Sequence, residues 1–207
     1  MSKRVALVTG GNGGIGSAIC RELAAQGHVV VAGYFPPEKE SAEAWQKQMK
    51  EQGSTIALCA LDVANFADCE RAVAQITEEF GSVDILVNCA GITRDGTLKK
   101  MPEANWKAVI ATNLDSAFNV TRHVINGMLD KGWGRIVNIA SVNGQRGQFG
   151  QANYSAAKAG MHGFTMAVAL ETAAKGITVN TVSPGYIATA MTEDRKSTRL
   201  NSSHRIR

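Results

Sequence analysis

The sequence has 207 residues, 44% of them hydrophobic, with 22 lysines and arginines against 18 aspartates and glutamates. A chain of this length fits one α/β domain with a sizeable core, and no stretch approaches the ~20 apolar residues that a membrane span requires. Five basic residues and one acidic residue lie in 194–207; the remaining 17 of each sign balance, so the net charge of +4 does not indicate a nucleic-acid-binding surface.

The cysteines and histidines predict no metal site. The cysteines, at 20, 59, 69 and 89, show no CxxC spacing and fall in or just after predicted helices and strands, so we expect buried, reduced thiols. The four histidines are scattered along the chain. Too few apolar residues follow Lys3 and Arg4 for a signal peptide, so the sequence predicts a cytoplasmic protein that binds no metal, membrane or nucleic acid.

A glycine-rich turn follows the first predicted strand. The apolar run Arg4–Thr9 has the pattern of a buried strand, and helical spacing of apolar residues begins at Ala18 and ends at Gly27. Between them the chain reads Gly10, Gly11, Asn12, Gly13, Gly14, Ile15, Gly16. Such a turn lets the backbone approach a pyrophosphate closely at the N-terminus of a helix, so it predicts a dinucleotide-binding site.

Strand and helix patterns alternate along the rest of the chain. The predicted strands are 28–33, 55–60, 83–88, 134–140 and 178–183, and the predicted helices are 41–52, 65–80, 102–129 and 152–174. This alternation is typical of a parallel sheet with helices on both faces. We therefore predict an α/β fold with a Rossmann-type doubly wound parallel sheet, strand order 3-2-1-4-5-6, in a single domain over residues 1–193.

Tyr154 and Lys158 are the most informative pair of residues. Four positions apart on a predicted helix, they lie one turn above each other on the same face. An ammonium group there favours the phenolate, so it lowers the pKa of the phenol from about 10 and suits it to proton transfer with an alcohol or carbonyl oxygen. Ser141, thirteen residues upstream, Asn113 further back and the glycine turn argue against a chance spacing of this pair.

These motifs together resemble the short-chain dehydrogenase/reductase family. The matching segments are Thr9–Gly16, Asn88-Cys89-Ala90-Gly91, Asn113, Ser141, Tyr154 with Lys158, and Pro184-Gly185. Only Cys89 departs from the asparagine that is more usual there, and we expect this to be tolerated. The resemblance implies that Tyr154 protonates a substrate carbonyl oxygen while Ser141 polarises it. It also implies that Lys158 tunes Tyr154 and holds the nicotinamide ribose, and that Asn113 anchors a water linking Lys158 to solvent.

The resemblance further implies which residues bind the cofactor. They are Gly10, Asn12, Gly13, Gly14, Ile15, Gly33, Lys39, Asp62, Val63, Asn88, Ala90, Gly91, Tyr154, Lys158, Pro184, Gly185, Ile187 and Thr189. NAD-preferring sites usually place an acid about 20 residues after the glycines to bond the ribose hydroxyls. The second strand ends at Gly33-Tyr34 with no carboxylate before Glu38, and Lys39 offers a compensating positive charge, so the predicted cofactor is NADP(H).

Three loops carry the substrate prediction. Gly147–Gln151, Gly91–Asp95 and Ser183–Thr189 resemble the branch of the family that reduces acetoacetyl-CoA to (R)-3-hydroxybutyryl-CoA for polyhydroxyalkanoate synthesis. That resemblance implies a substrate site of Asp95, Ser141, Gln148, Phe149, Gln151, Tyr154 and Tyr186. Two amides can bond the thioester and pantetheine groups, and two aromatic rings can flank a short acyl chain.

Two other functions remain open from the sequence. One is reduction of a 3-oxoacyl group on an acyl carrier protein, which needs a basic docking patch. Such a patch has candidates in Arg94, Lys99, Lys100, Arg122 and Arg146. The other is a non-catalytic NADP-binding sensor, which would not need the Asn, Ser, Tyr and Lys together.

The C-terminal end departs from the family pattern. Residues 194–207 resemble a translated sequencing adapter, and the family's lid, last helix and seventh strand do not follow residue 193. We therefore expect a non-native or disordered tail, an inactive chain as written, and a homotetramer for the full-length protein.

Overall fold

The computed structural model describes residues 3–187, which contain one six-stranded parallel sheet. The strands are β1 (Val5–Thr9), β2 (Val29–Tyr34), β3 (Ala57–Ala60), β4 (Ile85–Asn88), β5 (Gly134–Ile139) and β6 (Ile177–Val182). Their order is β3-β2-β1-β4-β5-β6, with every neighbouring pair parallel. The predicted fold class and strand order are therefore confirmed. Thr189 and the tail from 194 to 207 lie outside the described residues.

Helices cover both faces of the sheet. They are α1 (Gly14–Ala25), α2 (Lys39–Glu51), α3 (Phe66–Phe80), α4 (Glu103–Ile110), α5 (Ser116–Lys131), α6 (Asn143–Arg146) and α7 (Ala152–Thr172). Because β1 is central, its side chains alternate between two cores: Leu7 packs with α3 and α5, and Val8 packs with α1 and α2. Burial of both faces explains why the strands are nearly continuous apolar runs.

The predicted helix over 102–129 is wrong in one respect, because a π-helical segment at Ala111–Asp115 separates α4 from α5. Asn113 lies in this segment and is fully buried. A π turn inserts one residue into the helical ladder and is frequent at functional sites. Here it lies where Asn113 contacts the loop after β4.

A chain of buried polar side chains links three strands and one helix. Asn88 donates to Asn138 Oδ1 at 2.8 Å, Asn138 donates to Thr165 at 2.8 Å, and Thr181 donates to the same Thr165 hydroxyl at 2.8 Å. Asn88 and Asn138 are 2% and 0% exposed. Since buried amides are costly unless they are bonded, these hydrogen bonds fix the relative positions of β4, β5, β6 and α7.

Candidate active site

A cavity of about 360 Å³ runs along the carboxyl ends of the strands. It is lined by the turns after β1, β4, β5 and β6, by the connection after β2 and by one face of α7. The lining residues are Gly10, Asn12, Gly13, Gly14, Ile15, Gly16, Glu38, Cys89, Ala90, Gly91, Ile139, Ala140, Ser141, Tyr154, Lys158, Pro184, Gly185 and Ile187. The cavity thus brings together the glycine turn and three of the four predicted catalytic residues, at the edge of the sheet where open α/β folds bind ligands.

The glycine turn presents the N-terminus of α1 to this cavity. Gly13 is the N-cap residue and supplies no side-chain hydrogen bond, so the first N–H groups of α1 are not capped by a side chain. A Cβ on Gly16 would collide with the Gly10 carbonyl oxygen, which explains the third glycine of the motif. Free N–H groups and the positive end of the helix dipole suit a pyrophosphate.

Thr9 ties the first turn to the turn after β4. Its hydroxyl oxygen accepts hydrogen bonds from the backbone N–H groups of Cys89, at 3.0 Å, and Ala90, at 3.1 Å. Cys89 lines the cavity, and burial raises the pKa of its thiol to about 11. The thiol therefore stays protonated near neutral pH, consistent with a side chain that lies beside the ligand and takes no part in proton transfer.

Lys158 is buried beside Tyr154. Its side chain is 3% exposed, and Nζ donates to the Ile139 carbonyl oxygen at 2.7 Å and lies 5.8 Å from the centroid of the Tyr154 ring. Burial lowers the pKa of Lys158 from 10.5 to about 8. The ammonium therefore lies on the side of the Tyr154 ring and lines the cavity.

Ser141 follows β5 and is 8% exposed. Its hydroxyl oxygen accepts a hydrogen bond from the Asn143 backbone N–H at 3.1 Å. A serine hydroxyl that accepts in this way keeps its proton to donate, so Ser141 can polarise a carbonyl oxygen bound in the cavity.

Asn113 does not line the cavity, because its side chain is committed to the loop after β4. Its Oδ1 accepts from the Ile92 N–H at 2.7 Å, and its Nδ2 donates to the Ile92 carbonyl at 2.8 Å. Gly91 allows this approach, since a Cβ there would lie 2.9 Å from Asn113 Oδ1 and 3.7 Å from Lys158 Nζ. Both polar atoms of the Asn113 side chain are therefore bonded to the Ile92 backbone.

Gln151 and Asp95 hold the loops of the site together, and Gln151, which the sequence predicts as a substrate ligand, has its side-chain amide bonded to protein groups. The Gln151 amide accepts from Asn143 Nδ2 at 3.0 Å and donates to Asp95 Oδ1 at 2.9 Å, while the side chain is only 1% exposed. Gln151 thus connects the loop after β4, the segment that carries Ser141 and the start of the helix that carries Tyr154. Three other predicted substrate residues are more exposed to solvent: Gln148 is half-buried, and Phe149 and Tyr186 are exposed.

Several predicted cofactor residues do not line the cavity. Asn88 is part of the buried polar chain, and Gly33 and Val63 are buried. Asp62 accepts from the Ala64 N–H at 3.0 Å in the turn after β3. The Lys39 ammonium lies 3.7 Å from the Glu43 carboxylate one turn further along α2.

The sequence interpretation did not assign to the site three residues that line the cavity, namely Glu38, Ile139 and Ala140. For Ile139 and Ala140 a signal was present, because they end the strand that leads to Ser141. For Glu38 the signal was its place as the first carboxylate after β2.

Replacing Gln151 by Leu is expected to lower the melting temperature by several degrees. The change keeps the volume but leaves Asn143 and Asp95 without these partners, and an unsatisfied buried group costs about 1–3 kcal/mol. We also expect kcat to fall, because Asn143 supports Ser141. Calorimetry and steady-state kinetics on the full-length protein measure both effects, with the exposed Gln75→Leu on α3 as control. An unchanged melting temperature for Gln151→Leu would show that the amide stabilises nothing.

The chain is similar to several known proteins. Residues 4–200 match the family model for short chain dehydrogenase. The chain is 64% identical over 189 residues to an acetoacetyl-CoA reductase of Allochromatium vinosum, covering 91% of the chain and 77% of that protein. It is 58% identical over 191 residues to an acetoacetyl-CoA reductase of Cupriavidus necator, with 92% and 77% covered. It is 47% identical over 190 residues to a 3-oxoacyl-acyl-carrier-protein reductase of Vibrio cholerae, with 92% and 76% covered.

Proposed function

The chain belongs to the short-chain dehydrogenase family, and we propose that it reduces acetoacetyl-CoA to (R)-3-hydroxybutyryl-CoA in the cytoplasm, supplying polyhydroxyalkanoate synthesis. One observation carries the proposal. Ser141, Tyr154 and Lys158 line the same cavity as the glycine turn, in a chain that is 64% identical to an acetoacetyl-CoA reductase. A hydride donor and a proton donor can therefore meet one carbonyl group there.

Different residues of the chain have different roles in the reduction. A bound nicotinamide cofactor would supply the hydride, because no protein side chain donates one. Ser141 donates a hydrogen bond to the ketone oxygen and polarises it, and Tyr154 gives that oxygen its proton. The buried ammonium of Lys158 stabilises negative charge on the phenol oxygen once the proton has left. Asn113 positions the turn that contains Gly91, and through it the wall of the cavity beside Lys158.

The choice of NADPH over NADH is the finer part of the proposal. It is supported by the sequence at the end of β2, where Gly33 and Tyr34 offer no acid to repel a 2′-phosphate. The residues that line the cavity do not add to this support, since none of them near the glycine turn is basic.

Reduction of an acyl-carrier-protein substrate is the competing function. Arg94, Lys99, Lys100, Arg122 and Arg146 are all exposed, as a docking patch for an acidic protein requires. The deciding experiment compares kcat/KM of the full-length protein for acetoacetyl-CoA and for acetoacetyl-acyl-carrier protein, with the hydride donor saturating. We expect the CoA thioester to be preferred. A preference for the carrier protein that disappears when Lys99 and Lys100 are changed to Glu would establish the competing function.

We further propose that the full-length protein is a homotetramer, as the family resemblance implies. Large apolar side chains on α7 are exposed, with Met166 63% and Leu170 85% accessible, and Trp106 on α4 and Phe118 on α5 are also exposed. Apolar faces of this kind are typical of interaction surfaces. Light scattering is expected to give four subunits for the wild type and fewer for Leu170→Glu. A monomeric wild type would contradict the proposal.

A further inference from the structure

Asn153 is a buried polar residue that directly precedes Tyr154, the proposed proton donor. It is 0% exposed and does not line the cavity. A buried amide is costly unless it is hydrogen-bonded, so the contacts of Asn153 indicate what this residue holds in place. Its side chain bonds to backbone groups of three segments of the chain.

The oxygen of the Asn153 amide bonds to the backbone of Tyr154 itself. Oδ1 accepts a hydrogen bond from the Tyr154 N–H at 2.8 Å. The first N–H groups of a helix have no acceptor in a preceding helical turn. Tyr154 is the third residue of α7, and Gln151, the N-cap residue of this helix, provides no side-chain hydrogen bond to it. The Asn153 amide therefore supplies an acceptor within the first turn of α7.

The nitrogen of the same amide bonds to two other segments. Nδ2 donates to the Arg94 carbonyl oxygen at 2.9 Å and to the Asn105 carbonyl oxygen at 3.4 Å. Arg94 lies in the loop after β4, and Asn105 lies in α4, which follows that loop. One side chain thus connects the start of the helix that carries Tyr154 to residues 59 and 48 positions earlier in the chain.

A backbone contact joins the same loop to the segment before α7. The Gly96 N–H donates to the Gly150 carbonyl oxygen at 2.8 Å, and Gly96 and Gln151 form a parallel β-bridge. The loop after β4 also contains Gly91, which lines the cavity. The wall of the cavity that this loop forms and the first turn of α7 are therefore held together.

The placement of the phenol depends on this connection. A proton donor has to lie within about 2.6–3.2 Å of the oxygen that receives the proton. One turn further along α7, Lys158 is fixed by its hydrogen bond to the Ile139 carbonyl oxygen at 2.7 Å. Toward the start of α7, where helices fray, Asn153 fixes the backbone. The two contacts lie on either side of Tyr154 along the helix.

We infer that Asn153 is a positioning residue for proton transfer. It fixes the first turn of α7 on the loop after β4 and so sets the distance between the Tyr154 hydroxyl and a bound ketone. Because it does not line the cavity, it acts through Tyr154. The inference rests on the proposed function, since it takes Tyr154 to be the proton donor in a ketone reduction.

The test is the solvent isotope effect on kcat, measured in H2O and in D2O for the full-length wild type, Asn153→Leu and Asn153→Ser. Leucine keeps the volume of the side chain and removes all of its hydrogen bonds. A misplaced phenol slows proton transfer, so we expect kcat to fall by about tenfold or more and the isotope effect to rise. The dissociation constant of the dinucleotide should stay close to that of the wild type. Serine is the smaller change, and its variant carries the test if leucine prevents folding.

The matched control is Asn119→Leu on α5. Asn119 is also buried, at 6% exposed, does not line the cavity, and donates from Nδ2 to the Val63 carbonyl oxygen at 3.0 Å. This variant loses a comparable buried hydrogen bond, so its melting temperature should fall as that of Asn153→Leu does. Its solvent isotope effect should equal that of the wild type.

A merely structural role of Asn153 predicts a different result. Partial unfolding would lower the fraction of active protein, which lowers kcat and leaves the isotope effect unchanged. The inference is therefore wrong if the Asn153 variants show the wild-type isotope effect, whether or not kcat falls. The measurement uses whichever 3-oxoacyl thioester the wild type reduces. A preference for acyl carrier protein would thus overturn the proposed substrate and leave this test intact.

Discussion

Tyr154→Phe is expected to reduce kcat by about 10² or more, the scale typical of general acid catalysis. The substitution keeps the ring that lies 5.8 Å from the Lys158 ammonium and removes only the hydroxyl, which we propose as the proton donor to the ketone oxygen. Binding of the dinucleotide should therefore change little, which separates a catalytic defect from a binding defect. Stopped-flow measurement of hydride transfer and titration of the cofactor test the two parts independently.

The matched control for this substitution is Tyr34→Phe, which removes the same atom from a buried residue at the end of β2. That variant should retain kcat within about twofold, because its hydroxyl is not placed to donate to the substrate. Retention of most activity by Tyr154→Phe would remove the phenol from the mechanism and leave Ser141 as the candidate proton donor.

Lys158→Met is expected to abolish most activity and, at the same time, to change how stability depends on pH. Burial lowers the pKa of Lys158 from 10.5 to about 8, so the unfolded chain holds this proton more tightly than the folded protein does. Below pH 8 the buried ammonium is therefore destabilising, and between pH 8 and 10.5 this penalty disappears. The wild type should gain up to about 3 kcal/mol of unfolding free energy over that interval from this group.

Chemical denaturation at several pH values measures this effect as a difference between the wild type and Lys158→Met. The difference removes contributions from other groups that titrate in the same range. Lys47→Met, which replaces an exposed lysine on α2, serves as control and should follow the wild-type curve. Parallel curves for the wild type and Lys158→Met would show that Lys158 titrates normally and that burial does not destabilise its ammonium form.

The sequence predicted the arrangement of the sheet because local patterns determine it. Alternating strand and helix signals leave few topologies for a parallel sheet, and the motif of Tyr154 and Lys158 lies on a helix where spacing alone sets the geometry. The glycine turn could also be predicted from the sequence, because the roles of Gly13 and Gly16 depend on the local backbone and hardly at all on distant residues.

Other features of the site depend on contacts between segments far apart in the chain, which local patterns do not describe. Gln151 is a plausible substrate ligand in sequence, but Asp95, 56 positions away, takes up its amide. The Asn113 side chain is likewise hydrogen-bonded to the backbone of Ile92, 21 positions away. Glu38 follows the end of the second strand and was not assigned to the site, yet the 3-10 turn at Pro36–Glu38 places its carboxylate within hydrogen-bond distance of Asn12. In each case the hydrogen-bond partner of a polar side chain decided its role.

The cavity is assembled from turns that lie between residues 10 and 187, so it exists only when the sheet has formed. A dinucleotide consequently binds the native state and has no comparable site on an unfolded chain. By mass action, a free ligand at 100 times its dissociation constant adds about 2.7 kcal/mol to the stability of the native state. The lifetime of the protein in a cell should thus follow the size of its nucleotide pool, and depletion of the cofactor would expose the chain to proteolysis as well as stopping turnover.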